Sequence, residues 1–371
     1  MKIFFYVQHL LGIGHLKRAA TLVRGMRASG LDVTLASGGP SVAGMPVDVQ
    51  LPPAQAADST FSGLIDENGQ PVDDAWKRRR AGALIDAWRA SRADAVVIEL
   101  YPFGRRQMRF ELLPLLEDVR RVAKRPLVVC SVRDIIQSKP EREEQVLELV
   151  ERHFDRVMVH GDPRVVPFER SFAPAPRLGH RLHYTGYVVD EPPPAAADAG
   201  RAEVLVSAGG GAVGRKLLQT AIRAREATLL RSTPWRVLAG IHCSEANFRE
   251  LTRAAPEGVI VERNREDFPA LLANCALSIS QAGYNTVTET LKARTRSVLV
   301  PFAGTAESEQ TLRATLLAER GAATVLAEKA LTPENLAAAV NRAARAPQPP
   351  ADVVDLDGAR RSAELLKQWL S

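Results

Sequence analysis

The sequence predicts an α/β protein with two doubly wound, Rossmann-like domains that face each other across a cleft. Short apolar and β-branched runs alternate with longer helical patterns, as in parallel sheets. The series occurs twice, before and after the Pro/Ala-rich stretch "DEPPPAAADAG", and 371 residues suffice for two domains of about 100–200 residues each. We predict an N-terminal domain over 1–188, a linker over 189–200, a second domain over 201–350, and a C-terminal helix within 351–371 that could pack back onto the N-terminal domain.

The apolar runs define the expected strands of each domain. In the first domain they predict strands at Ile3–Val7, Asp32–Ala36, Ala95–Leu100, Leu127–Val132 and Arg156–His160. In the second they predict strands at Glu203–Ser207, Trp235–Ala239, Gly258–Glu262, Ala276–Ser280, Ser297–Pro301 and Ala323–Leu326. Ligands of such sheets bind beyond the carboxyl ends of the strands, so the residues directly after the strands are the most informative.

Composition narrows the class of partner. The net charge of +6 favours anionic partners, whereas an aromatic content of 5%, without aromatic and basic residues interleaved, argues against nucleic acid. The three cysteines are far apart and lack ligand spacing, which indicates a reducing compartment without a disulfide framework or zinc site. The N-terminal apolar run is too short for a signal peptide, and no run approaches the ~18 apolar residues of a spanning helix. We predict a cytoplasmic protein; nothing indicates its oligomeric state.

The loop after the first strand, "VQHLLGIGHLKRA", contains a candidate base. Gly12 and Gly14 begin like a dinucleotide loop, but the third glycine of that motif is missing. His15 follows at the start of a helix, and an ordinary imidazole pKa near 6.5 suits a general base. His9 in the same loop is the competing candidate. A packing or capping role for His15 remains open.

A glycine-rich turn, "SAGGGAVGRK", follows the first strand of the second domain. Ser207 and the glycines at 209, 210 and 211 lie between a strand and a helix, where backbone N–H groups can approach a phosphate. The alternative is a tight turn that needs glycine for its own geometry. The spacing does not match a P-loop.

A second polar turn, "SISQAGYNTVTE", opens another helix of this domain. Asn285, Thr286 and Glu289 would share one helix face, so that small polar groups could hold phosphates and the carboxylate could hold a ribose diol. However, Thr286 and Glu289 also have the spacing of a capping box, in which Glu289 would serve only its own helix. The residue types alone leave both interpretations open.

A fourth candidate, "PFAGTAESEQTLRA", pairs Glu309 with Gln310 at a helix start. An acid and an amide together can accept from and donate to sugar hydroxyls. An acid in the first turn of a helix also stabilises that helix by interaction with its dipole, which is the simpler alternative.

These pieces occur in the order found in nucleotide-sugar glycosyltransferases of the GT-B architecture. "SQAGYNTVTE" resembles the H/S-x-G-W/Y-N-S/T-x-x-E signature of MurG-like and related UDP-glycosyltransferases, and the segment "LVPFAGTAESEQTLRATLLAERGAA" resembles the part that follows it. "GIGHLKRA" loosely matches the N-terminal glycine-rich loop with histidine, although it lacks the fuller "GGTGGH". With "ELYPFGRR" and "VHGDP", the chain also resembles an uncharacterised bacterial branch of predicted glycosyltransferases.

The resemblance implies a set of site residues and a reaction. Glu289 would hold the donor ribose, Glu309 and Gln310 would contact the sugar, and His15 would be the base. The diphosphate and its surroundings would involve Ser207, Gly209, Gly210, Gly211, Gln281, Gly283, Asn285 and Thr286, and the acceptor side would involve His9, Gly14 and Glu99. The implied reaction is inverting transfer from a nucleotide sugar, with UDP favoured, to the hydroxyl of a small-molecule or lipid-linked acceptor, without a metal or other cofactor. Plant enzymes place a histidine near Ser280 or Gln281, which this chain lacks.

Other functions remain possible on the same residues. A nucleotide-sugar epimerase or hydrolase would use additional acids such as Glu99 or Asp134, and a non-catalytic sugar-nucleotide-binding protein would use only the donor residues. The segment 76–88, "WKRRRAGALIDAW", combines basic and apolar residues and is a candidate for weak peripheral membrane contact, or else an ordinary helix with a solvated basic face. The acids of Asp355-Leu356-Asp357 resemble a metal motif, but we interpret them as solvated acids at a helix start.

Overall fold

The computed structural model describes residues 1–58, 63–137, 139–191, 198–208, 214–240, 243–303 and 309–371. The chain divides into two compact units. The first unit contains Met1–Val188 together with Asp357–Ser371, and the second contains Val189–Leu356. No helix among the described residues combines the length and apolar character needed to span a bilayer.

The first unit is a parallel α/β sheet with helices on both faces. Its strands are β1 Lys2–Val7, β2 Asp32–Ser37, β3 Val49–Gln50, β6 Ala95–Glu99, β7 Leu127–Arg133, β8 Arg156–His160 and β9 Leu182–Tyr184, with β4 Gln55–Ala56 and β5 Leu64–Ile65 forming a separate hairpin-like pair. Its first four helices are α1 Gly14–Ala28, α2 Asp74–Ser91, α3 Arg109–Arg121 and α4 Pro140–His153. The strand order is β3-β2-β1-β6-β7-β8-β9, so the chain reverses its direction of travel across the sheet between β1 and β6. This switch point is where open α/β sheets bind ligands.

Alternation along β1 explains how both faces of this sheet become core. Phe4 and Tyr6 pack into the cluster that α2, α3 and α4 cover, whereas Ile3, Phe5 and Val7 pack into the cluster that α1 covers. Successive strand side chains point to opposite faces, so a strand covered on both sides needs an unbroken apolar run. That run is what made β1 recognisable in the sequence.

The second unit repeats the architecture. Its strands are β10 Val204–Ser207, β11 Trp235–Ala239, β12 Val259–Arg263, β13 Leu277–Ser280, β14 Ser297–Leu299 and β15 Thr324–Val325, and its helices are α5 Arg215–Ala224, α6 Glu245–Ala254, α7 Phe268–Asn274, α8 Tyr284–Lys292, α9 Glu309–Glu319 and α10 Pro333–Arg345. The strand order β12-β11-β10-β13-β14-β15 is parallel throughout and places the switch point between β10 and β13.

The last helix, α11 (Gly358–Leu370), belongs to the first unit. Ala363 and Leu366 are buried in the same cluster as α1. Gly25 of α1 makes the close approach possible, since a Cβ at that position would lie 2.9 Å from the Cβ of Ala359. The two helices therefore pack with almost no side chain between them at this point.

The predicted fold class, two Rossmann-like α/β domains, is confirmed. Two kinds of element were missed. β9 was not predicted because "LHY" is short, half-buried and follows an irregular segment. The strands β3, β4 and β5 have two residues each, which is too short for an alternation to be visible.

Candidate functional site

His15 and Glu99 meet at the switch point of the first unit. Glu99 ends β6, and His15 is the second residue of α1, which follows the neighbouring strand β1. His15 Nδ1 lies 3.2 Å from Glu99 Oε1, and the His15 side chain is 16% exposed while that of Glu99 is fully buried. Arg18, one turn further along α1, also contacts Glu99 Oε1. The structure thus brings together two residues that the sequence predicted separately.

The protonation of this pair follows from its surroundings. Burial alone would raise the pKa of Glu99, but Arg18, and then His15 and Ser131, hold it below its ordinary value, so the carboxylate is charged. Burial lowers the pKa of His15 well below its ordinary value, Arg105 lowers it further, and Glu99 opposes both. Glu99 can only accept, so the Nδ1 contact is a hydrogen bond if neutral His15 donates from Nδ1, and Nε2 then carries the lone pair. Arg18 Nη2 also lies 3.2 Å from Nδ1, and in this tautomer it contacts Nδ1 without donating to it. A histidine in this state can accept a proton from a bound hydroxyl.

Glu99 is held in turn by a buried polar chain across the next strands. Ser131 Oγ on β7 donates to Glu99 Oε2 at 2.5 Å and lies 2.9 Å from His160 Nε2 on β8. His160 Nδ1 lies 2.8 Å from the hydroxyl of Thr185, just after β9. Because Glu99 can only accept, Ser131 must give it its proton, and His160 must donate to Ser131. The chain fixes the carboxylate that orients His15.

His160 makes stability depend on pH. Burial lowers the pKa of His160 to about 3, below its ordinary value of 6.5. The unfolded state therefore takes up a proton below pH 6.5 that the folded state excludes, so this stability is complete above pH 6.5 and is lost as pH falls towards 3. We expect His160→Gln to reduce the slope of unfolding free energy between pH 6.5 and 4 by about 1.4 kcal/mol per pH unit, as measured by urea unfolding.

The matched control is His180→Gln, because His180 is exposed. That variant should keep the wild-type slope. An unchanged slope in His160→Gln would contradict the buried, neutral state of His160.

The other predicted residues of this unit have different surroundings. Gly14 is the first residue of α1. His9 is 4% exposed, and neither ring nitrogen has a hydrogen-bond partner among the described residues. Its ring lies so close to Gly39 that a Cβ there would be 2.4 Å from Nδ1. Burial and then Arg105 lower the pKa of His9 to about 4, while the backbone of Pro40 acts the other way. His9 therefore lacks the carboxylate that would hold it as a base.

The predicted donor residues of the second unit lie on both sides of its switch point. Ser207 ends β10 and pairs in register with Ser280, which ends β13. Both side chains are buried, and neither hydroxyl has a hydrogen-bond partner among the described residues. Gly209, Gly210 and Gly211 follow Ser207 but lie outside the described residues. Two polar strand ends therefore meet at the place where such sheets bind ligands.

The turn after β13 leads directly into α8. Gly283 is the N-cap residue, and Val287 N donates to Gly283 O at 3.0 Å, which fixes the helix start. Thr286 is consequently the third residue inside the helix and cannot be its N-cap. The capping-box interpretation of Thr286 and Glu289 is wrong for this reason. The sequence spacing was right, but the helix begins one turn earlier than a cap at Thr286 requires.

Gly283 has no internal reason to be glycine. Its φ of −65° suits any residue, and a Cβ there would meet no atom of the described residues within 4 Å. By contrast, a Cβ at Gly214 would lie 2.0 Å from the Cβ of Ala208, so packing explains that glycine. Within the described part of the chain, a ligand can therefore approach the first N–H groups of α8.

The three polar residues predicted to contact the donor lie in the first two turns of α8. Asn285 and Thr286 are half-buried in the first turn, and Glu289 follows one turn later with 9% of its surface exposed. The apolar residue Val287 is 1% exposed and faces the core. Thr290 and Leu291, also on the side predicted to be covered, are buried, but so is Glu289, so burial does not separate the two predicted sides of this helix.

Glu309 and Gln310 have structural partners that the sequence did not reveal. Glu309 Oε1 accepts from Arg313 Nη2 at 3.0 Å, and Arg313, which is fully buried, donates to Ala282 O at 3.2 Å. Gln310 Oε1 accepts from the backbone N–H groups of Ala282 and Phe302 at 3.0 and 3.1 Å. Helix α9 therefore holds both the N–H and the carbonyl group of Ala282 through Gln310 and Arg313.

Gln281 lines a cavity of about 260 Å³ within the second unit. The other lining residues are Gly214, Arg215, Lys216, Leu217, Val300, Phe302, Glu328 and Leu331. The cavity lies at the start of α5 and beyond the ends of β13 and β14. Its charges are mixed: Lys216 and the acid Glu328 both line it, and Arg215 is paired with Glu250 at 2.5 Å.

The segment predicted as a membrane-contact candidate is mostly core. Trp76, Leu84 and Trp88 of α2 are 7%, 0% and 5% exposed. Three of the four large apolar side chains of this segment are therefore packed inside the first unit, and the fourth, Ile85, is half-buried. Lys77, Arg78 and Arg79 remain at the surface to different degrees, as the alternative of an ordinary helix with a solvated basic face predicts.

One residue of the basic run, Arg80, is fully buried. Arg80 Nη2 donates to Glu111 Oε1 at 3.0 Å and to Gln8 Oε1 at 2.7 Å, and Nη1 donates to Gly38 O at 3.0 Å. Gly38 must be glycine here, since a Cβ would lie 2.1 Å from Arg80 Nη2. This ion pair fixes the residues that follow β1 and β2, including Gln8 beside His9.

Two of the remaining acids that the sequence singled out have protein partners. Asp134 is buried and accepts from Tyr187 Oη at 3.0 Å, and Asp357 pairs with Arg360 at 2.7 Å at the start of α11. Among the described residues, no group of three or more His, Cys, Asp or Glu side chains is placed to hold a metal ion. The expectation of metal-independent chemistry stays a prediction.

The fold defines the class of protein. Over its whole length the chain is similar to solved GT-B glycosyltransferases: the glycotransferase of kitacinnamycin (TM-score 0.63, 18% identity, 100% of this chain and 99% of the other) and MurG of Acinetobacter baumannii (TM-score 0.57, 18% identity, 99% of this chain and 100% of the other). The chain therefore has the GT-B glycosyltransferase fold.

The sequence places the second unit within this class. Residues 210–364 match the glycosyltransferase family 28 C-terminal domain. A UDP-N-acetylglucosamine--N-acetylmuramyl-(pentapeptide) pyrophosphoryl-undecaprenol N-acetylglucosamine transferase of Geobacillus kaustophilus is 32% identical over 145 residues, which are 38% of this chain and 39% of the relative. The predicted resemblance to MurG-like glycosyltransferases is thus confirmed. The matched regions span only about 20% to 39% of the length of such curated relatives.

Proposed function

We propose that this protein is a metal-independent, inverting glycosyltransferase that transfers a sugar from a nucleotide sugar to an acceptor hydroxyl. The observation that carries this proposal is the 3.2 Å contact between His15 and the buried carboxylate of Glu99 at the switch point of the first unit. The nucleotide-sugar donor would bind at the switch point of the second unit, beyond the carboxyl ends of β10 and β13. The family 28 match, over residues 210–364, includes most of that second unit and supports the same assignment.

His15 acts as the base in this mechanism. His15 Nε2 takes the proton of the acceptor hydroxyl as the oxygen attacks the anomeric carbon of the donor sugar. Glu99 stabilises the imidazolium that forms, because its charge lies 3.2 Å from Nδ1. Ser131 and Arg18 keep the carboxylate in place during this charge transfer.

The second unit stabilises the leaving nucleotide. A single displacement inverts the anomeric carbon and leaves negative charge on the diphosphate. Gly283 lets this group approach the amino end of α8, whose N–H groups and helix dipole favour an anion. Lys216 at the start of α5 adds positive charge, whereas Arg215 beside it is paired with Glu250. A metal ion is unnecessary if these groups neutralise the developing charge.

The nucleotide and the type of acceptor are proposed from the relatives. The curated relatives are named as transferases of N-acetylglucosamine from its UDP derivative to a pyrophosphoryl-undecaprenol acceptor. We propose UDP as the nucleotide here and a small-molecule or lipid-linked alcohol as the acceptor. The cytoplasmic location stays a prediction, since both reactants could be presented there.

Glu289 provides a test of the donor site. If Glu289 binds the ribose, Glu289→Ala should weaken binding of UDP by about 1.5–3 kcal/mol through loss of charge-assisted hydrogen bonds. Isothermal titration with UDP measures this change. Glu257→Ala is the control, because Glu257 is an exposed acid of the same unit.

Glu289→Gln separates binding from stability. It keeps the size of the buried side chain but removes its charge, so it should also weaken UDP binding. A lower melting temperature with unchanged UDP affinity in both variants would assign Glu289 to the stability of α8 alone.

The alternative functions give different products. Incubation of the protein with a UDP-sugar in the absence of acceptor should leave the donor intact if the protein is a transferase. Rapid release of UDP would instead identify a hydrolase, and an isomerised sugar would identify an epimerase. Binding of UDP-sugar without any turnover across an acceptor panel would favour a non-catalytic binding protein.

A further inference from the structure

Arg105 joins the two strands of the first unit's switch point. It ends the irregular segment 100–105 that follows β6, and its Nε donates to Gln8 O, just after β1, at 2.8 Å. Leu100 and Arg105 begin and end this segment with φ values of 68° and 59°, in the left-handed region that non-glycine residues rarely adopt. Such backbone strain persists where the surroundings hold a residue in one position, which is common at functional sites.

The charge of Arg105 is poorly compensated. Among the described residues, no carboxylate forms an ion pair with its half-buried guanidinium. Glu99 attracts it, but that carboxylate already contacts Arg18, His15 and Ser131. Burial, and then Arg133 and Arg18, lower the pKa of Arg105 to about 10. A cation in such surroundings gains much from an added anion.

His9 gives a second, independent indication at the same place. It is 4% exposed, neither ring nitrogen makes a hydrogen bond of good geometry among the described residues, and Arg105 is close enough to lower its pKa, which the backbone of Pro40 raises. A buried imidazole without a well-formed hydrogen bond is costly, and an anion that accepts one from it would remove that cost. Both residues therefore lack the same kind of partner.

We propose that Arg105 and His9 form a binding site for an anionic group, a phosphate or a carboxylate, next to His15. This inference rests on the proposed function in one respect: the anionic group would belong to the acceptor whose hydroxyl His15 deprotonates. The planar guanidinium binds such oxygens through paired hydrogen bonds, and its Nε bond to Gln8 O fixes its position beforehand. The site thus selects acceptors that carry negative charge close to the reacting hydroxyl.

The site also affects the base. Arg105 is one of the groups that lower the pKa of His15 and of His9. An anion on Arg105 offsets this positive charge, so its binding should raise both pKa values and make His15 a stronger base. A charged acceptor would in this way increase the reactivity of the residue that activates it.

The experiment uses inorganic phosphate and acetate as probes of the two anion types. The full chain is titrated with each anion while the imidazole resonances of His9 and His15, assigned with His9→Gln and His15→Gln, are followed by NMR. We expect saturable shifts of both resonances and an upward shift of both pKa values. In Arg105→Gln, affinity for the preferred anion should fall about 10- to 100-fold.

Matched variants locate the site. Arg106→Gln removes the exposed neighbouring charge and should bind the anion as the wild type does. Arg105→Lys keeps the charge but loses the paired donors, so its affinity should lie between those of wild type and Arg105→Gln. Preference for phosphate over acetate would assign a phosphorylated acceptor, and the reverse preference a carboxylated one.

Two results would overturn the proposal: an unchanged anion affinity in Arg105→Gln and Arg105→Lys, or the absence of saturable shifts at His9 and His15 with either anion. UDP binding, measured in the same samples, reports on the second unit and should be the same in wild type and Arg105→Gln. Failure of UDP binding would therefore count against the proposed function, and failure of the histidine shifts against the anion site.

Discussion

Replacement of His15 by alanine is expected to lower turnover by about 10²–10⁴-fold, the range typical for loss of a general base. UDP affinity should stay unchanged, because His15 belongs to the first unit and the donor residues to the second. Glu99→Gln should lower turnover as well, since an amide cannot stabilise the imidazolium that forms 3.2 Å away. Steady-state rates with a nucleotide sugar and an acceptor, together with calorimetric UDP binding, test both expectations.

The pH profile adds a second measure of the same residue. Because the pKa of His15 lies well below 6.5, the wild-type rate should stay constant as pH falls to 6.5 and decline only below it. His180→Ala is the control, since His180 is exposed and outside the site. A normal rate in His15→Ala would refute the assignment of the base and direct attention to His9.

Replacement of Arg80 by methionine is expected to destabilise the first unit by about 3–5 kcal/mol, the usual cost of leaving one partner of a buried ion pair alone. Glu111 is fully buried, and burial already raises its pKa against the opposing effect of Arg80. The loss should therefore be smaller at acid pH, where Glu111 can take up a proton. Urea unfolding at pH 7 and pH 5 measures both quantities.

A double variant tests whether the cost comes from the unpaired charge. Arg80→Met with Glu111→Leu removes both charges, and should recover much of the stability lost in Arg80→Met alone. Arg79→Met, one residue away and exposed, should change stability by less than about 0.5 kcal/mol. Equal losses in the single and double variants would mean that packing, not charge, dominates at this position.

Most of the fold could be predicted because its parallel strands are covered on both faces. β6, "AVVIE", is buried at every position, and such runs contrast strongly with the helical patterns between them. β15 was predicted longer than it is, since only Thr324 and Val325 pair with β14 and the apolar residues around them pack without pairing. An apolar run in the sequence indicates that residues are buried, not that they pair with a neighbouring strand. At the edge of this sheet, buried residues extend beyond the paired ones.

Less of the candidate site could be predicted, because its decisive contacts join distant parts of the chain. His15 and Glu99 were each named, but no local pattern shows that residues 84 positions apart are 3.2 Å from each other. Arg80 belongs to a basic run, and a basic run predicts exposed charges without indicating that one of its members is buried. Arg105 lies within the segment "ELYPFGRR", yet its importance depends on which charges surround it in three dimensions. A helix start one turn from the expected position decided the role of Thr286.

The return of α11 to the first unit has a consequence for biosynthesis. Residues are made in order, so the second unit is complete before α11 leaves the ribosome, while the helix layer of the first unit still lacks Ala363 and Leu366. Until then, the side of α1 around Gly25 has no partner and exposes apolar surface to solvent. We therefore expect nascent chains that stop before Asp357 to contain a folded second unit beside an incomplete first one, which is the stage at which a chaperone would find a binding surface on this protein.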